Sequence, residues 1–374
     1  MVVETPSVFV TIPAFLLLIG TLVVIHELGH YFAGRWFGVK AEKFSIGFGP
    51  QIWGRVDKRG TLWRVAALPL GGYVQFAGDM NPASQPNADW ANLSQAERDQ
   101  TFQSKALWKR ALIVFAGPAI NFILAILILT GFLLNYGMAV TPPVINTIQP
   151  GSPAAAAQLL KGDRIISING HSIGGFEELA EEARMIPNEQ IDLVLERKGE
   201  TITKVLTTGV REEIDRFGNK YRLGVIGIGA PPSVRQSVNL FAAPAIAAGQ
   251  TISIVRIQIK GIGQILSGRR SVKELGGPLK IAKISGEAMS IGVVTFIYLA
   301  AMISINLGFM NLLPIPMLDG GHLLLYGVEA VRKRPATPAI QEWAFRAGLA
   351  MLVGFMVMVT FNDLVSFGLF GSRS

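Results

Sequence analysis

The sequence predicts a polytopic α-helical membrane protein of about four transmembrane helices, with a cytoplasmic membrane-associated β-hairpin and an inserted α+β domain. Three observations predict it. Half of the 374 residues are hydrophobic and 16% are charged, whereas soluble domains carry about 25% charged residues; mean hydropathy is +0.41. Four stretches approach the roughly 20 apolar residues needed to cross ~30 Å of hydrocarbon. Between the second and third, turn clusters separate short alternating runs, as in a folded module outside the membrane. This composition excludes disorder, collagen and coiled coil. The net charge of +8 is read as the flanks of membrane spans, and no nucleic-acid partner is expected. With no cysteine in the chain, disulfides, thiolate metal ligands and cysteine nucleophiles are excluded, and the redox compartment stays open.

The first span is expected over residues 8–25, uncharged until His26. No small-residue cleavage site follows, so it reads as a retained span rather than a signal peptide. The second is expected at 111–136, the third at 291–313 and a shorter fourth at 347–361, bounded by Arg346 and Asp363. Arg35, Lys40 and Lys43 follow the first span, Lys105, Lys109 and Arg110 precede the second, and Arg332, Lys333 and Arg334 separate the last two. Positive charge near span ends marks the cytoplasmic side. Both termini and the segment 137–288 are therefore expected outside. The expected organisation is 1–136, 137–230, 231–288 and 289–374.

In the outward segment, strands are expected at 144–148, 164–168, 191–197 and 201–207, with helices at 154–160 and 176–185. Asn169-Gly170 is a hairpin signal. Residues 235–288 are basic and moderately apolar, and fit an amphipathic helix on the membrane surface. In the first cytoplasmic loop, extended runs at 63–70 and 73–76 flank Gly71-Gly72, which predicts a hairpin turn there; Pro69 fits an edge strand. Residues 77–103 read as a polar linker.

His26-Glu27-Leu28-Gly29-His30 carries the chemistry. On a helix, residues i and i+4 share a face, so both imidazoles can hold one ion, and Glu27 can take a proton from a water that the ion activates. The pattern alone is short, but it continues an uncharged apolar run. Burying three ionisable groups there costs several kcal/mol unless they are satisfied, and a metal would satisfy them. An interfacial role just outside the hydrocarbon is the competing reading, which Tyr31 and Trp36 keep open. A catalytic zinc takes three protein ligands and leaves one position open. His171, after the Asn-Gly turn, reads as a solvated turn residue. The stronger candidate for the third ligand is Asp319, after Pro314 and Pro316 break the third span; His322 is its rival, otherwise a supporting or interfacial histidine. Asn311 could donate to a substrate carbonyl or bond a neighbouring helix.

The histidine motif at the end of the first span and Asn311–Gly320 in the third together resemble the paired signatures of site-2-protease-type intramembrane zinc metalloproteases, and the layout is similar to the branch that regulates sigma-E in bacteria. Gly117-Pro118 with Asn121 and Phe122, Gly276-Gly277-Pro278 and residues 68–74 agree, and the inserted domain resembles a PDZ domain, single here where that branch has two. The resemblance implies Zn2+ bound by His26, His30 and Asp319, with Glu27 as general base. It further implies single-span membrane-protein substrates in the bilayer of a bacterial inner membrane, such as anti-sigma factors or signal-peptide remnants, trimmed first by a site-1-type protease. Unwound substrate backbone in a membrane leaves unpaired polar groups. A substrate-binding role is therefore expected for Gly71, Gly72, Tyr73 and Val74 by strand addition, alongside Asn311, Pro314 and Pro316. The alternative is a membrane-anchored PDZ adaptor without catalysis; a metal transporter ranks below it, because no inverted repeat is visible.

Overall fold

Backbone groups inside a bilayer have to be satisfied within the segment that crosses it, so long apolar stretches fold as helices. The computed structural model describes residues 6–78, 94–214, 220–267, 276–334 and 337–366. The chain opens with α1 (Val8–Trp36), β1 (Ala41–Val56), β2 (Leu62–Phe76), the single turn α2 (Gln95–Arg98) and α3 (Leu107–Tyr136). There follow β3 (Met138–Val140), β4 (Thr147–Ile148), α4 (Pro153–Ala156), β5 (Arg164–Ile168), β6 (His171–Ser172) and α5 (Phe176–Met185). Next come β7 (Gln190–Arg197), β8 (Glu200–Thr207), β9 (Gly209–Ile214), β10 (Lys220–Val225), β11 (Ile228–Gly229) and β12 (Val234–Gln236). The chain continues with α6 (Ala243–Leu266), α7 (Pro278–Ile291), α8 (Val293–Asn311), α9 (Asp319–Arg332) and α10 (Pro338–Ser366). Two compact units result, Met1–Gly131 with Pro244–Ser374, and Phe132–Ala243.

Val8–Trp36, Leu107–Tyr136, Val293–Asn311 and Glu342–Val365 are long and apolar enough to cross a membrane. α1 runs without interruption through the histidine motif, so the metal-binding pattern lies on a continuous helix. α10 is longer than the fourth span expected from sequence, and Asp363 lies inside it rather than marking its end. The reason is non-local. Asp363 is fully buried, and its carboxylate accepts the backbone N–H groups of Gly277 and Lys280 at 3.0 Å each, capping the N-terminus of α7. A carboxylate satisfied by two orphan helix donors can stay in an apolar helix. The connector expected along the membrane surface becomes α6 and α7. α7 packs along α1, close enough that a Cβ on Gly286 would lie 2.5 Å from Thr11 Oγ1.

The hairpin forms, but its turn lies elsewhere. The chain reverses at Asp57, whose carboxylate accepts from the Arg59 and Thr61 amides and from Trp63 Nε1. β2 turns back between residues 65 and 72, past Gly71 at φ +119°, but its two arms do not pair with each other: 62–65 run parallel and 72–75 antiparallel to 43–46 of β1. Residues 43–46 of β1 consequently pair on both sides, Phe44 with Trp63 and Val74, and Ser45 with Arg64 and Tyr73. Residues 72–76 form the outer edge of this sheet, and no further strand pairs with them among the described residues. Phe44, Val74 and Phe76 bury themselves with Tyr31 of α1, Ile113 of α3 and Phe102, which holds that edge against the helices. Most of the linker expected at 77–103 lies outside the described residues; its end is α2, closed by a Ser94–Glu97 capping box.

The second unit is built on the sheet β6-β5-β7-β8, around a core of Ile145, Ile165, Ile168, Leu179, Leu193 and Leu195. Asn169 and Gly170, both at positive φ, turn β5 into β6. The strand expected at 144–148 shortens to β4 plus a bridge from Val144 to Arg164, and the helix expected at 154–160 shortens to α4. β9 and β10 pair although Arg211-Glu212-Glu213 carries no apolar alternation that would announce a strand. Arg197 grips Asp163 through two hydrogen bonds of 2.7 Å. Burial alone would raise the Asp163 carboxyl, but these bonds and the Leu160 amide hold it below its ordinary value.

Candidate metal centre

The helical period of α1 puts His26 and His30 on one face, with their Nε2 atoms 3.2 Å apart. The third group arrives from the broken helix. α8 ends at Asn311, Pro314 and Pro316 forbid its continuation, Met317 takes φ +83°, and helix resumes at Asp319. Gly320 lets this first turn fold back on the break, since a Cβ there would lie 2.2 Å from the Leu313 carbonyl oxygen. Asp319 Oδ2 comes to lie 3.2 Å from His26 Nε2, and Oδ1 3.5 Å from His30 Nε2.

These residues fit a zinc ion. Ligand atoms at tetrahedral angles around zinc, with bonds of about 2.0–2.1 Å, lie about 3.3–3.4 Å apart; the two imidazole nitrogens are 3.2 Å apart, and the Asp319 carboxylate faces them with one oxygen each, at 3.2 and 3.5 Å. Asp319 Oδ2 is buried with no donor aligned to hydrogen-bond it, a costly state for a carboxylate oxygen that an ion relieves. Two imidazoles and a carboxylate are the donor types zinc prefers in catalytic sites.

α3 backs the pair of rings. His30 Nδ1 donates to the Ile113 carbonyl at 3.0 Å, which leaves the Nε2 lone pair facing the triad. One turn on, Gly117 provides the room: a Cβ there would meet His30 Nε2 at 2.2 Å and His26 Cε1 at 2.9 Å. After another turn, the buried side-chain amide of Asn121 lies 3.1 Å from His26 Nδ1. α9 is tied to α3 by an ion pair of 2.6 Å between Arg110 and Glu329.

The triad opens onto a cavity of about 450 Å³. Glu27 lines it, with the Val74 backbone N–H directed at its carboxylate. Gly72, Tyr73, Val74 and Asn311 line it as well; Gly71, Pro314 and Pro316 do not. The prolines make the break, and Pro316 packs toward Gly348 of α10. His322 lines the cavity one turn after Asp319 but stays outside the group of three whose ligand atoms lie within 4.8 Å of one another. His171 is exposed in β6 of the second unit and joins no ligating cluster among the described residues. The α3 stripe of Ile113, Gly117 and Asn121 is the part that motif reading passes over as chemistry. Its signal is a glycine and an asparagine spaced i, i+4, like the histidines they face.

Comparison with known proteins identifies the family. The model of Peptidase family M50 matches residues 14–355. "Putative zinc metalloprotease Atu1380" of Agrobacterium fabrum is 41% identical over 357 residues, 94% of this chain and 95% of that one. Metalloprotease MmpA of Caulobacter vibrioides is 36% identical over 381 residues, 96% of each chain. Among solved structures, the PDZ domain of the SdrC-like protein Lmo2051 of Listeria monocytogenes aligns with 25% of this chain and 90% of its own, at 17% identity and a TM-score of 0.19; that likeness carries no argument. The chain belongs to peptidase family M50, the site-2-protease-type zinc metalloproteases.

Proposed function

We propose that the protein cuts a peptide bond in or near the transmembrane segment of a membrane-protein substrate, with His26, His30 and Asp319 as zinc ligands and Glu27 as general base. The observation that carries this reading is the triad, its imidazole nitrogens 3.2 Å apart and faced by the two Asp319 oxygens at 3.2 and 3.5 Å, on the same cavity as Glu27. His26 lies eighteen residues along α1 from Val8, which is about 27 Å at 1.5 Å per residue. The chemistry would then occur close to the far face of a ~30 Å hydrocarbon layer. The basic flanks favour the cytoplasmic face of a bacterial inner membrane, with both termini and the second unit outside.

A zinc ion held by His26, His30 and Asp319 would supply an activated water at neutral pH and polarise the carbonyl to be attacked. Glu27 takes the water's proton and delivers it to the leaving amine. The Asn311 amide donates to the carbonyl oxygen as charge develops there. The cleaved stretch has to be unwound, and residues 72–76 offer it an edge strand beside Glu27, so backbone groups freed from the substrate helix pair there instead of facing hydrocarbon. In the second unit, which we read as PDZ-like, a groove of about 230 Å³ between α5 and β10, lined by Phe176, Leu179, Arg184, Leu223 and Ile226, suits an extended chain end. It would favour substrates already trimmed by another protease.

The test is to reconstitute the zinc-loaded chain in vesicles with a single-span substrate and map the cut by mass spectrometry. A cut inside the apolar segment is expected; cleavage confined to soluble regions would overturn the reading. Because the chain has no cysteine, Tyr73→Cys gives a unique thiol. It should trap single-cysteine substrates at every second position around the cut, and an absence of this alternation would refute the strand-addition step.

A further inference from the structure

For His26 to offer Nε2 to an ion, its proton has to sit on Nδ1, and a buried Nδ1–H needs an acceptor. The group that faces Nδ1, at 3.1 Å, is the side chain of Asn121, which has 0% exposure. With its Nδ2 toward the ring, two donors oppose each other, and the buried Oδ1 has no partner. Amide oxygen and nitrogen exchange places by a half-turn, and their assignment follows the hydrogen-bond chemistry. The half-turn removes the opposed donors and gives the buried oxygen a partner.

We infer that Asn121 Oδ1 accepts the Nδ1 proton of His26, making Asn121 a positioning residue that fixes the tautomer and plane of one zinc ligand. The inference rests on the reading of His26, His30 and Asp319 as ligands. It has a counterpart on the same helix, where the Ile113 carbonyl does this for His30. Residues 113, 117 and 121 fall at i, i+4 and i+8, so a single stripe of α3 carries both acceptors, with Gly117 between them making room for the rings. The stripe is anchored from α8, since Ser304 Oγ donates to the Asn121 backbone carbonyl at 2.8 Å. That anchor does not involve the Asn121 side chain and survives its substitution.

The test measures zinc affinity of the purified full-length protein by chelator competition, with the visible spectrum of the cobalt-substituted form alongside. Asn121→Leu keeps the volume and removes the acceptor; it should weaken zinc binding about 10–100-fold and shift the cobalt bands. Asn121→Asp keeps an acceptor and should stay within a few-fold of wild type. Unfolding midpoints of the metal-free forms should be alike; if leucine lowers its midpoint, Asn121→Ala takes its place in the comparison. His26→Ala is the control for the underlying reading. Wild-type affinity in Asn121→Leu, with zinc lost from His26→Ala, overturns the inference alone. Equal losses in the leucine and aspartate variants also overturn it, because packing would then explain both. Zinc retained by His26→Ala would instead defeat the ligand reading itself.

Discussion

Glu27→Gln is expected to lower turnover of a membrane-embedded substrate by about 10²–10⁴-fold, the usual contribution of a general base, while the protein keeps its full zinc content. Glutamine matches glutamate in size, so the packing of α1 is preserved. What is lost is the ability to accept a proton. The Val74 N–H directed at the Glu27 carboxylate can still bond the amide oxygen of glutamine, so the edge strand should stay in place. Initial rates in vesicles and metal content by mass spectrometry measure the two halves of the prediction. Loss of zinc along with activity would make Glu27 structural, and undiminished turnover would remove it from the chemistry.

Gly117→Val should abolish zinc binding at concentrations that saturate the wild type. Its Cβ would lie 2.2 Å from His30 Nε2 and 2.9 Å from His26 Cε1, and neither side can yield easily. The helix backbones already touch, since a Cβ on Gly29 would lie 2.4 Å from the Ala116 carbonyl oxygen. The rings have to rotate away, which separates the nitrogens that form an edge of the triad. Gly117→Ala should act in the same direction. Gly131, also on α3, has open space around its missing Cβ, so Gly131→Ala should bind zinc as the wild type does. Thermal unfolding reads both, because zinc stabilises the folded state by RT ln(1 + [Zn]/Kd). That gain should vanish with valine at 117 and remain with alanine at 131.

The parts of the site legible in the sequence are those whose constraint is local. His26 and His30 declare themselves because their i, i+4 spacing interrupts no helix and follows an uncharged run. Asp319 does so because two prolines force irregular backbone where a span should continue. Gly71-Gly72 misleads only in part: the chain turns back there, but the two arms pair with 43–46 of β1 instead of with each other, which a glycine pair cannot announce. The turn between directly paired arms is made fourteen residues earlier by Asp57, with three donors on one carboxylate. Asp363 reads as the edge of a span because its partners, the Gly277 and Lys280 amides, lie more than eighty residues away. Gly117 and Asn121 are legible as part of the family resemblance, but what they do is seen only once α1 is laid across them. The acceptor of a ligand's second nitrogen is a property of that crossing; the i, i+4 spacing of Gly117 and Asn121 marks the stripe but does not say what it faces.

The central claim is that two imidazoles from α1 and the carboxylate that opens α9 share one ion. Zinc-edge X-ray absorption of the purified full-length protein tests it most directly. The account predicts two imidazole nitrogens and a carboxylate oxygen at about 2.0–2.2 Å, with one imidazole gone in His30→Ala and the carboxylate gone in Asp319→Ala. A wild-type spectrum with fewer than two imidazoles, or one unchanged in Asp319→Ala, would contradict it.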